Sequence, residues 1–230
     1  MSATAVNLPA GSVHFWQTTV GKKAVMAVTG FILFGFIVGH LLGNLQIFLP
    51  PEKINHYSAT LKSLPALLWG ARITLLIAVT LHIWSSFQLW LLQRAARPVG
   101  YVKKANVNST YASRTMIWSG PIILAFLIFH LLHFTFGAVH PGGPFDEHNV
   151  YNNVVTGFQV WPVSLFYIIA MIMLCYHLYH GLWSMFQSLG FSHPVYTPWL
   201  QRFAKLFAIL IAAGNISIPV AVLAGFLKPV

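Results

Sequence analysis

Acidic residues are nearly missing from this chain, which has three of them among 230 residues, against 13 basic ones. Charged residues of all kinds make up 7%, whereas soluble domains carry about 25%, which excludes an ordinary soluble enzyme and a disordered chain. The single cysteine, Cys175, excludes disulfides within the chain and iron–sulfur clusters held by its own cysteines. Apolar residues are abundant instead: 57% are hydrophobic and the mean hydropathy is +0.71, which predicts an integral membrane protein.

Five long apolar stretches follow one another along the chain, at about residues 24–49, 65–93, 115–139, 160–189 and 206–227. Each exceeds the roughly 20 residues that a helix needs to cross the hydrocarbon core of a bilayer. A helix also satisfies its own backbone hydrogen bonds where no water is present. The sequence therefore predicts an all-α integral membrane protein, a single domain over residues 1–230 that forms a bundle of five transmembrane helices.

The positions of the charges predict how these helices are oriented. The N-terminal tail, the second loop and the fourth loop lie on one side of a five-helix bundle, and they hold nine of the 13 basic residues: Lys22, Lys23, Arg94, Arg97, Lys103, Lys104, Arg114, Arg202 and Lys205. The three acids, Glu52, Asp146 and Glu147, fall in loops on the other side. The positive-inside rule then predicts a cytoplasmic N-terminus and an outer C-terminus.

The same rule explains the net charge of +10 by basic cytoplasmic loops, so no nucleic-acid partner is expected. Residues 1–21 lack the charged start and apolar centre of a cleavable signal peptide. We therefore expect a multi-pass protein of the inner (plasma) membrane of a prokaryote.

Histidine is the unusual component of the predicted spans. Six histidines lie inside them: His40, His82, His130, His133, His177 and His180. One neutral histidine in a bundle can simply hydrogen-bond to a neighbouring helix, but ionisable residues on four helices indicate a functional site. No carboxylate lies inside any span, which argues against a zinc hydrolase with a glutamate base and against a carboxylate proton relay. A metal or haem protein fits better.

The depths of four histidines sort them into two levels. His40 and His130 come 17 and 16 residues after the nearest cytoplasmic basic anchor, which is about 25 Å along a helix. His82 and His177 each precede the cytoplasmic end of their span by 12 residues, or about 18 Å. Two levels with two histidines each are what two haems with bis-histidine ligation require, because each iron takes one axial imidazole from each of two helices.

Depth alone leaves two neighbouring histidines open as ligands. His133 and His180 follow His130 and His177 by three residues and share their helix faces. Either could instead hydrogen-bond a haem propionate or pack in the bundle. The first span also carries a strip without side chains, formed by Gly35, Gly39 and Gly43, which suits close helix packing or a porphyrin plane beside His40.

Several segments now give the chain a resemblance to a known family. They are Gly39–Asn44 in the first span, Asn55–Tyr57 and Ser63–Pro65 in the following loop, Leu81–His82 in the second span, Ser119–Gly120 ahead of His130 in the third, and His177–Ser184 in the fourth. In this order and spacing, the chain resembles the five-helix, dihaem cytochrome b membrane anchor of succinate:quinone oxidoreductases (succinate dehydrogenase or fumarate reductase, respiratory complex II). The resemblance covers nearly the whole chain.

The resemblance implies two haem b groups. It implies that His82 and His177 bind the haem near the cytoplasmic side and that His40 and His130 bind the outer one, with His133 and His180 in supporting roles. It also implies a flavoprotein subunit and an iron–sulfur subunit docked on the cytoplasmic face, so the succinate site is not on this chain. Electrons would pass through the haems to membrane quinone. The resemblance leaves open the physiological direction of the reaction and whether the complexes associate further.

Quinone contacts are sought near the two membrane surfaces, because a quinone needs an apolar slot with one or two polar groups. The cytoplasmic candidates are His14, Trp16 and Lys22, and the outer candidates are Glu52, His56 and Tyr57. Plain interfacial anchoring is the alternative for each, since aromatic residues gather at this depth. Arg72, together with Lys62, is a candidate partner for outer haem propionates, with snorkelling to the headgroups as the alternative.

Two other functions remain open from the sequence. The chain could be the dihaem cytochrome subunit of another quinone-linked complex, such as a membrane hydrogenase or a nitrate reductase. It could also be a haem-free anchor or small transporter in which the histidines only hydrogen-bond.

Overall fold

The computed structural model describes residues 14–97, 99–100 and 109–230, and within them the chain is helical without any strand. The α-helices are α1 (Thr19–Asn44), α2 (Pro51–Lys62), α3 (Pro65–Ala95), α4 (Tyr111–His130), α5 (Val150–Gln159), α6 (Trp161–Ser188) and α7 (Thr197–Leu223). Short 3-10 helices cover Phe15–Gln17 and Leu45–Phe48, and a π-helical turn covers Leu131–Thr135. Lys103 and Lys104, used above to orient the helices, lie outside the described residues.

Five of these segments are long and apolar enough to cross a membrane: α1 with its following 3-10 turn, α3, α4 with its π turn, α6 and α7. The predicted all-α class with five membrane-length helices is therefore confirmed. Their outward surfaces agree with contact to lipid, since Trp118 is 71% and Leu76 65% exposed. An arginine lies over a tryptophan near both ends of α3 and near the start of α7, an arrangement typical of a membrane–water interface: Arg72 over Trp69, Arg94 over Trp90 and Arg202 over Trp199.

The helices do not begin and end where the predicted spans do. The fifth long helix begins at Thr197, nine residues before the expected start. Arg202 and Lys205 lie inside its first turns, because long basic side chains reach the surface from within a helix. The third span ends at Thr135 instead of residue 139, and Gly137, with φ of 63°, follows in a conformation that suits glycine.

The long helices pack around α1 and α6, which lie against each other at the centre. The second long helix, α3, packs on α1, while α4 packs on α6, and α7 lies along α6. Neither the pair α1 and α4 nor the pair α3 and α6 is among the extensively packed helix pairs of the described chain. The two outlying helices, α3 and α4, therefore flank a region whose floor is formed by α1 and α6.

Two short helices, α2 and α5, occupy segments that sequence analysis treated as loops. Proline and Glu52 open α2, with Lys62 in its last turn, and the Asn149 side chain caps α5 by accepting from Asn152 N. They are joined by Asn55, whose Oδ1 accepts from Tyr151 N at 3.0 Å. We call this end of the bundle, which carries α2 and α5, the capped end, and the opposite end the basic end.

The largest buried apolar cluster lies at the capped end. It joins the two short helices to the ends of the long ones through Ile47, Ile54, Tyr151, Val155, Phe158, Tyr167 and Ile218. Burial of such side chains contributes about 1.5–3 kcal/mol each, so this cluster stabilises the packing of α2 and α5 on the ends of the long helices. The two short helices therefore pack directly on the residues at the capped end of the bundle.

Candidate functional site

Four histidines meet as two pairs at different levels of the bundle. The ring centres of His82 (α3) and His177 (α6) lie 6.3 Å apart, with 56° between their planes. The ring centres of His40 (α1) and His130 (α4) lie 5.7 Å apart, with 89° between their planes. We call these the basic-end pair and the capped-end pair. They are the same pairs that sequence depth indicated, and each joins two helices that do not pack extensively on each other.

The distance within each pair fits two imidazoles on opposite sides of one metal ion. An imidazole nitrogen lies about 2 Å from a metal that it binds and about 1 Å from its own ring centre, so the two ring centres are about 6 Å apart. Both observed distances lie close to this value. The spacing is also too long for direct stacking of the two rings.

The ring orientations of the basic-end pair are set by partners at Nδ1. His82 Nδ1 lies 3.1 Å from the carbonyl oxygen of Met26 and 3.3 Å from Thr29 Oγ1. His177 Nδ1 lies 3.2 Å from Ser119 Oγ. A carbonyl oxygen only accepts, so His82 Nδ1 carries the hydrogen, and Nε2 is left as the unprotonated nitrogen.

The same reasoning applies to His177. Ser119 is 1% exposed, and its hydroxyl donates to the carbonyl oxygen of Met116, so its oxygen is available to accept from His177 Nδ1. In both rings of the basic-end pair Nε2 is then the nitrogen with a free lone pair, which is the form of histidine that binds a metal. A hydrogen bond at the opposite ring nitrogen is the usual way in which proteins orient a metal-binding histidine.

The capped-end pair lies among aromatic rings. Phe126 lies nearly parallel to His130 at 5.6 Å, and Phe36 lies nearly parallel to His40 at 5.1 Å. His130 Nδ1 is 3.4 Å from the hydroxyl of Tyr167. His40 remains exposed at the surface of α1, whereas His130 is half-buried. The surroundings of the two imidazoles are therefore mostly aromatic, with the Tyr167 hydroxyl as a polar neighbour of His130.

The glycine strip of α1 divides into an open and a covered part. A Cβ added at Gly35 or Gly39 would have no neighbour within 4 Å among the described residues, whereas one at Gly43 would lie 2.7 Å from Tyr57 Cε1. Gly30, nearer the basic end, approaches His82, whose Cε1 would be 3.3 Å from such an atom. The first helix therefore has unfilled space beside it along the stretch that leads to His40.

The described residues contain no group of three or more His, Cys, Asp or Glu side chains that could hold a metal ion. Structural and catalytic zinc sites take three or four protein ligands, so the two pairs are not sites of that kind. Two axial imidazoles are sufficient when a macrocycle supplies the remaining ligands, as in haem proteins. The donor set, the ring spacing and the free Nε2 atoms thus fit haem.

The two neighbouring histidines do not belong to these pairs. His133 is completely buried with Nδ1 3.1 Å from the hydroxyl of Tyr167, and its Nε2 has no partner in the described chain. His180 lies 5.5 Å from Trp183, and its buried Nδ1 likewise has no described partner. His130 and His177, whose ring centres lie 5.7 and 6.3 Å from those of His40 and His82, are therefore favoured as ligands over His133 and His180.

At the basic end, the three quinone candidates have different surroundings. Trp16 lines a groove of about 460 Å³ with Phe15, Thr29 and other apolar residues of α1 and α3. Lys22 Nζ donates to the carbonyl oxygen of Gln17 at 2.7 Å, and His14 is exposed. Thr29, which lines this groove, also lies 3.3 Å from His82 Nδ1 through its hydroxyl oxygen.

At the capped end, Tyr57 is the candidate that approaches the histidines, since it covers Gly43, one helical turn beyond His40. Glu52 and His56 are exposed on α2. The two basic candidates for propionate binding have other contacts: Lys62 Nζ donates to the carbonyl oxygen of Glu147, and the exposed Arg72 lies over Trp69.

Sequence reasoning missed the residues that orient the histidines. Thr29 and Tyr167 were not singled out, and Ser119 was quoted only as part of a motif. All three are polar side chains inside apolar spans, a signal that could have identified them as hydrogen-bonding residues. Which histidine each one meets depends on the rotation of the helices, which the sequence alone does not supply.

Comparison of the chain with family models, with curated proteins and with solved structures finds no match. The functional conclusion therefore rests on the chain's own motifs and on the geometry of the two histidine pairs.

Proposed function

We propose that this chain is the membrane-anchor cytochrome b subunit of a succinate:quinone oxidoreductase. Two haem b groups are held by His82 and His177 near the basic end and by His40 and His130 near the capped end. The observation that carries the proposal is the meeting of two histidine pairs at two levels, each at metal-bridging distance and each drawn from helices that do not otherwise pack closely.

Hydrogen bonding alone explains these histidines poorly. In a haem-free anchor, each imidazole would be expected to bond its neighbour or a nearby polar group through both nitrogens. Here, the bonded nitrogen of His82 and of His177 is Nδ1, and the two ring centres lie 6.3 Å apart without a hydrogen bond between the rings among the described contacts. An exposed His40 on a membrane helix also needs a cover, which a porphyrin plane provides.

A haem bound at each pair supplies a one-electron carrier. The residues of the chain hold and orient it: the Met26 carbonyl, Thr29 and Ser119 keep the basic-end imidazoles in the tautomer with free Nε2, and Tyr167 does so for His130. The apolar helices exclude water from both levels. Two carriers at different depths make an electron path along the bundle.

The distribution of charged residues supports docking of a dehydrogenase at the basic end. Every acid lies at the capped end, in α2 or before α5, while seven of the 11 described basic residues lie at the opposite end. We therefore place the basic end in the cytoplasm, facing a flavoprotein subunit and an iron–sulfur subunit. Electrons would enter at the basic-end pair and reach the capped-end pair second.

Quinone has a better candidate site in the groove beside Trp16 than at the other cytoplasmic candidates. The groove is apolar, opens near the basic end and borders Thr29, which contacts His82. If quinone is reduced there, Trp16→Ala raises the KM for quinone while both haems stay bound. Trp199→Ala, at the same end but outside this groove, serves as the matched control and leaves the KM unchanged.

The proposed function is tested by purifying the tagged full chain from its own membranes in mild detergent. We expect a flavoprotein and an iron–sulfur subunit to copurify, and succinate to reduce a b-type signal in the complex. Copurification of a hydrogenase or a molybdenum subunit instead would contradict the assignment to a succinate:quinone oxidoreductase while leaving haem binding standing.

A further inference from the structure

The hydroxyl of Tyr167 lies between two histidines of the same span. It is 3.4 Å from His130 Nδ1 and 3.1 Å from His133 Nδ1. His130 ends α4 and His133 lies in the π-helical turn Leu131–Thr135, where Phe136 N bonds to the carbonyl oxygen of Leu131, five residues back. π turns inside α-helices are rare and are frequent at functional sites.

His133 is more deeply buried than any other histidine in a span. It is completely buried, stacks on Phe134 at 3.8 Å with 21° between the planes, and lies against α5. A Cβ added to Gly157 would be 2.6 Å from His133 Nε2. Because Gly157 lies in α5, this helix limits the space around the Nε2 atom of His133.

The hydrogens of the three groups can be assigned by counting donors and acceptors. If His130 binds a metal through Nε2, its Nδ1 carries a hydrogen and donates to the Tyr167 oxygen. The Tyr167 hydroxyl then donates to His133 Nδ1, and only His133 Nε2–H is left without a partner. The reverse tautomer of His133 would leave both the hydroxyl hydrogen of Tyr167 and the Nε2 lone pair unsatisfied, so the first arrangement costs less.

We propose that Tyr167 and His133 are positioning residues that orient His130 through a directional hydrogen-bond chain and thereby lower the redox potential of the capped-end haem. The proposal rests on the haem binding proposed above. An acceptor at Nδ1 makes an axial imidazole a stronger electron donor, which favours ferric iron. His40 has no corresponding chain among the described hydrogen bonds, so the redox potential of the capped-end haem is adjusted through His130.

The test is a potentiometric titration of both haems in the purified full chain and in Tyr167→Phe. The capped-end haem is identified as the one lost in His40→Ala. We expect Tyr167→Phe to retain two haems and to shift only the capped-end potential to a more positive value. The matched control is Tyr151→Phe, which removes a hydroxyl from another buried tyrosine of the same apolar cluster; both potentials should stay at the wild-type values.

Variants of His133 test the direction of the chain independently, should Tyr167→Phe fail to fold. In His133→Asn the side-chain oxygen can replace Nδ1 as the acceptor, whereas His133→Leu removes it. We expect a near wild-type potential for Asn and a shifted potential for Leu. Equal potentials in the two variants, or two haems with unchanged potentials in Tyr167→Phe, would overturn this inference alone. A wild-type chain without haem would overturn the proposed function and this inference together.

Discussion

The ring centres of His40 and His130 lie 5.7 Å apart and nearly perpendicular, although α1 and α4 are not among the extensively packed helix pairs of the described chain. The relation is repeated by His82 and His177 on the other two helices that frame the same region. In the proposed function, one haem is held between the two histidines of each pair.

Replacing either member of the capped-end pair should remove one haem. In His40→Ala or His130→Ala the proposed capped-end haem would lose one of its two histidine ligands, so the haem content should fall from about two to about one per chain. The measurement is a pyridine haemochrome assay on the purified chain. His133→Ala is the control, and loss of a haem there with retention in His130→Ala would reverse the ligand assignment in α4.

The basic-end pair should behave in the same way and independently. We expect His82→Ala or His177→Ala to remove the other haem and to leave the capped-end one with its spectrum unchanged. His180→Ala tests the selection within α6, because His180 lies beside Trp183 instead of His82. It should keep both haems, and a chain that loses a haem in His180→Ala but not in His177→Ala would contradict the assignment.

Ser119 should tune the basic-end haem without being needed to bind it. Ser119→Ala removes the acceptor at His177 Nδ1, so the ligand becomes a weaker donor and the potential of this haem should rise. The lost hydrogen bond costs about 1 kcal/mol of stability. Ser164→Ala is a matched control, since this equally buried serine bonds to the carbonyl oxygen of Phe158 and not to a histidine. Similar potentials of the basic-end haem in the two variants would show that Ser119 does not tune this haem.

Gly157 should tolerate no side chain. In Gly157→Ala the new methyl group would lie 2.6 Å from His133 Nε2, so α5 or the π turn has to move. Such overpacking costs about 1–3 kcal/mol, and we expect a lower Tm together with a disturbed capped-end haem. Gly70→Ala, where nothing lies within 4 Å among the described residues, should leave both unchanged. Equal Tm values for the two variants would show that the contact between α5 and His133 is not close.

The five spans could be predicted from the sequence because hydropathy over some 20 residues is a strong signal. The levels of the histidines followed as well, since rise per residue converts position along a straight helix into depth. The short helices α2 and α5 were missed because each is brief and partly polar, so that tertiary packing against the bundle, rather than its own composition, decides its structure. Pro51 at the first position of α2 and the capping residue Asn149 of α5 were the available signal.

The choice between His130 and His133 could not be derived from depth. It depends on the rotation of α4 about its axis and on the π turn that begins at Leu131, and neither leaves a mark in apolar periodicity when a helix is hydrophobic on all sides. The hydrogen bonds of Thr29, Ser119 and Tyr167 depend in the same way on how neighbouring helices are rotated. These hydrogen bonds join different helices, so the residue pattern within one helix does not predict them.

The most direct test of the central claim is the haem content of the wild-type chain. The full chain is purified, its reduced-minus-oxidised absorption spectrum is recorded, and haem is counted per polypeptide. The account predicts a low-spin b-type spectrum with about two haems per chain, because two bis-histidine pairs are present. A purified, folded chain with no such signal would contradict it, and the histidines would then be hydrogen-bonding residues of a haem-free membrane protein.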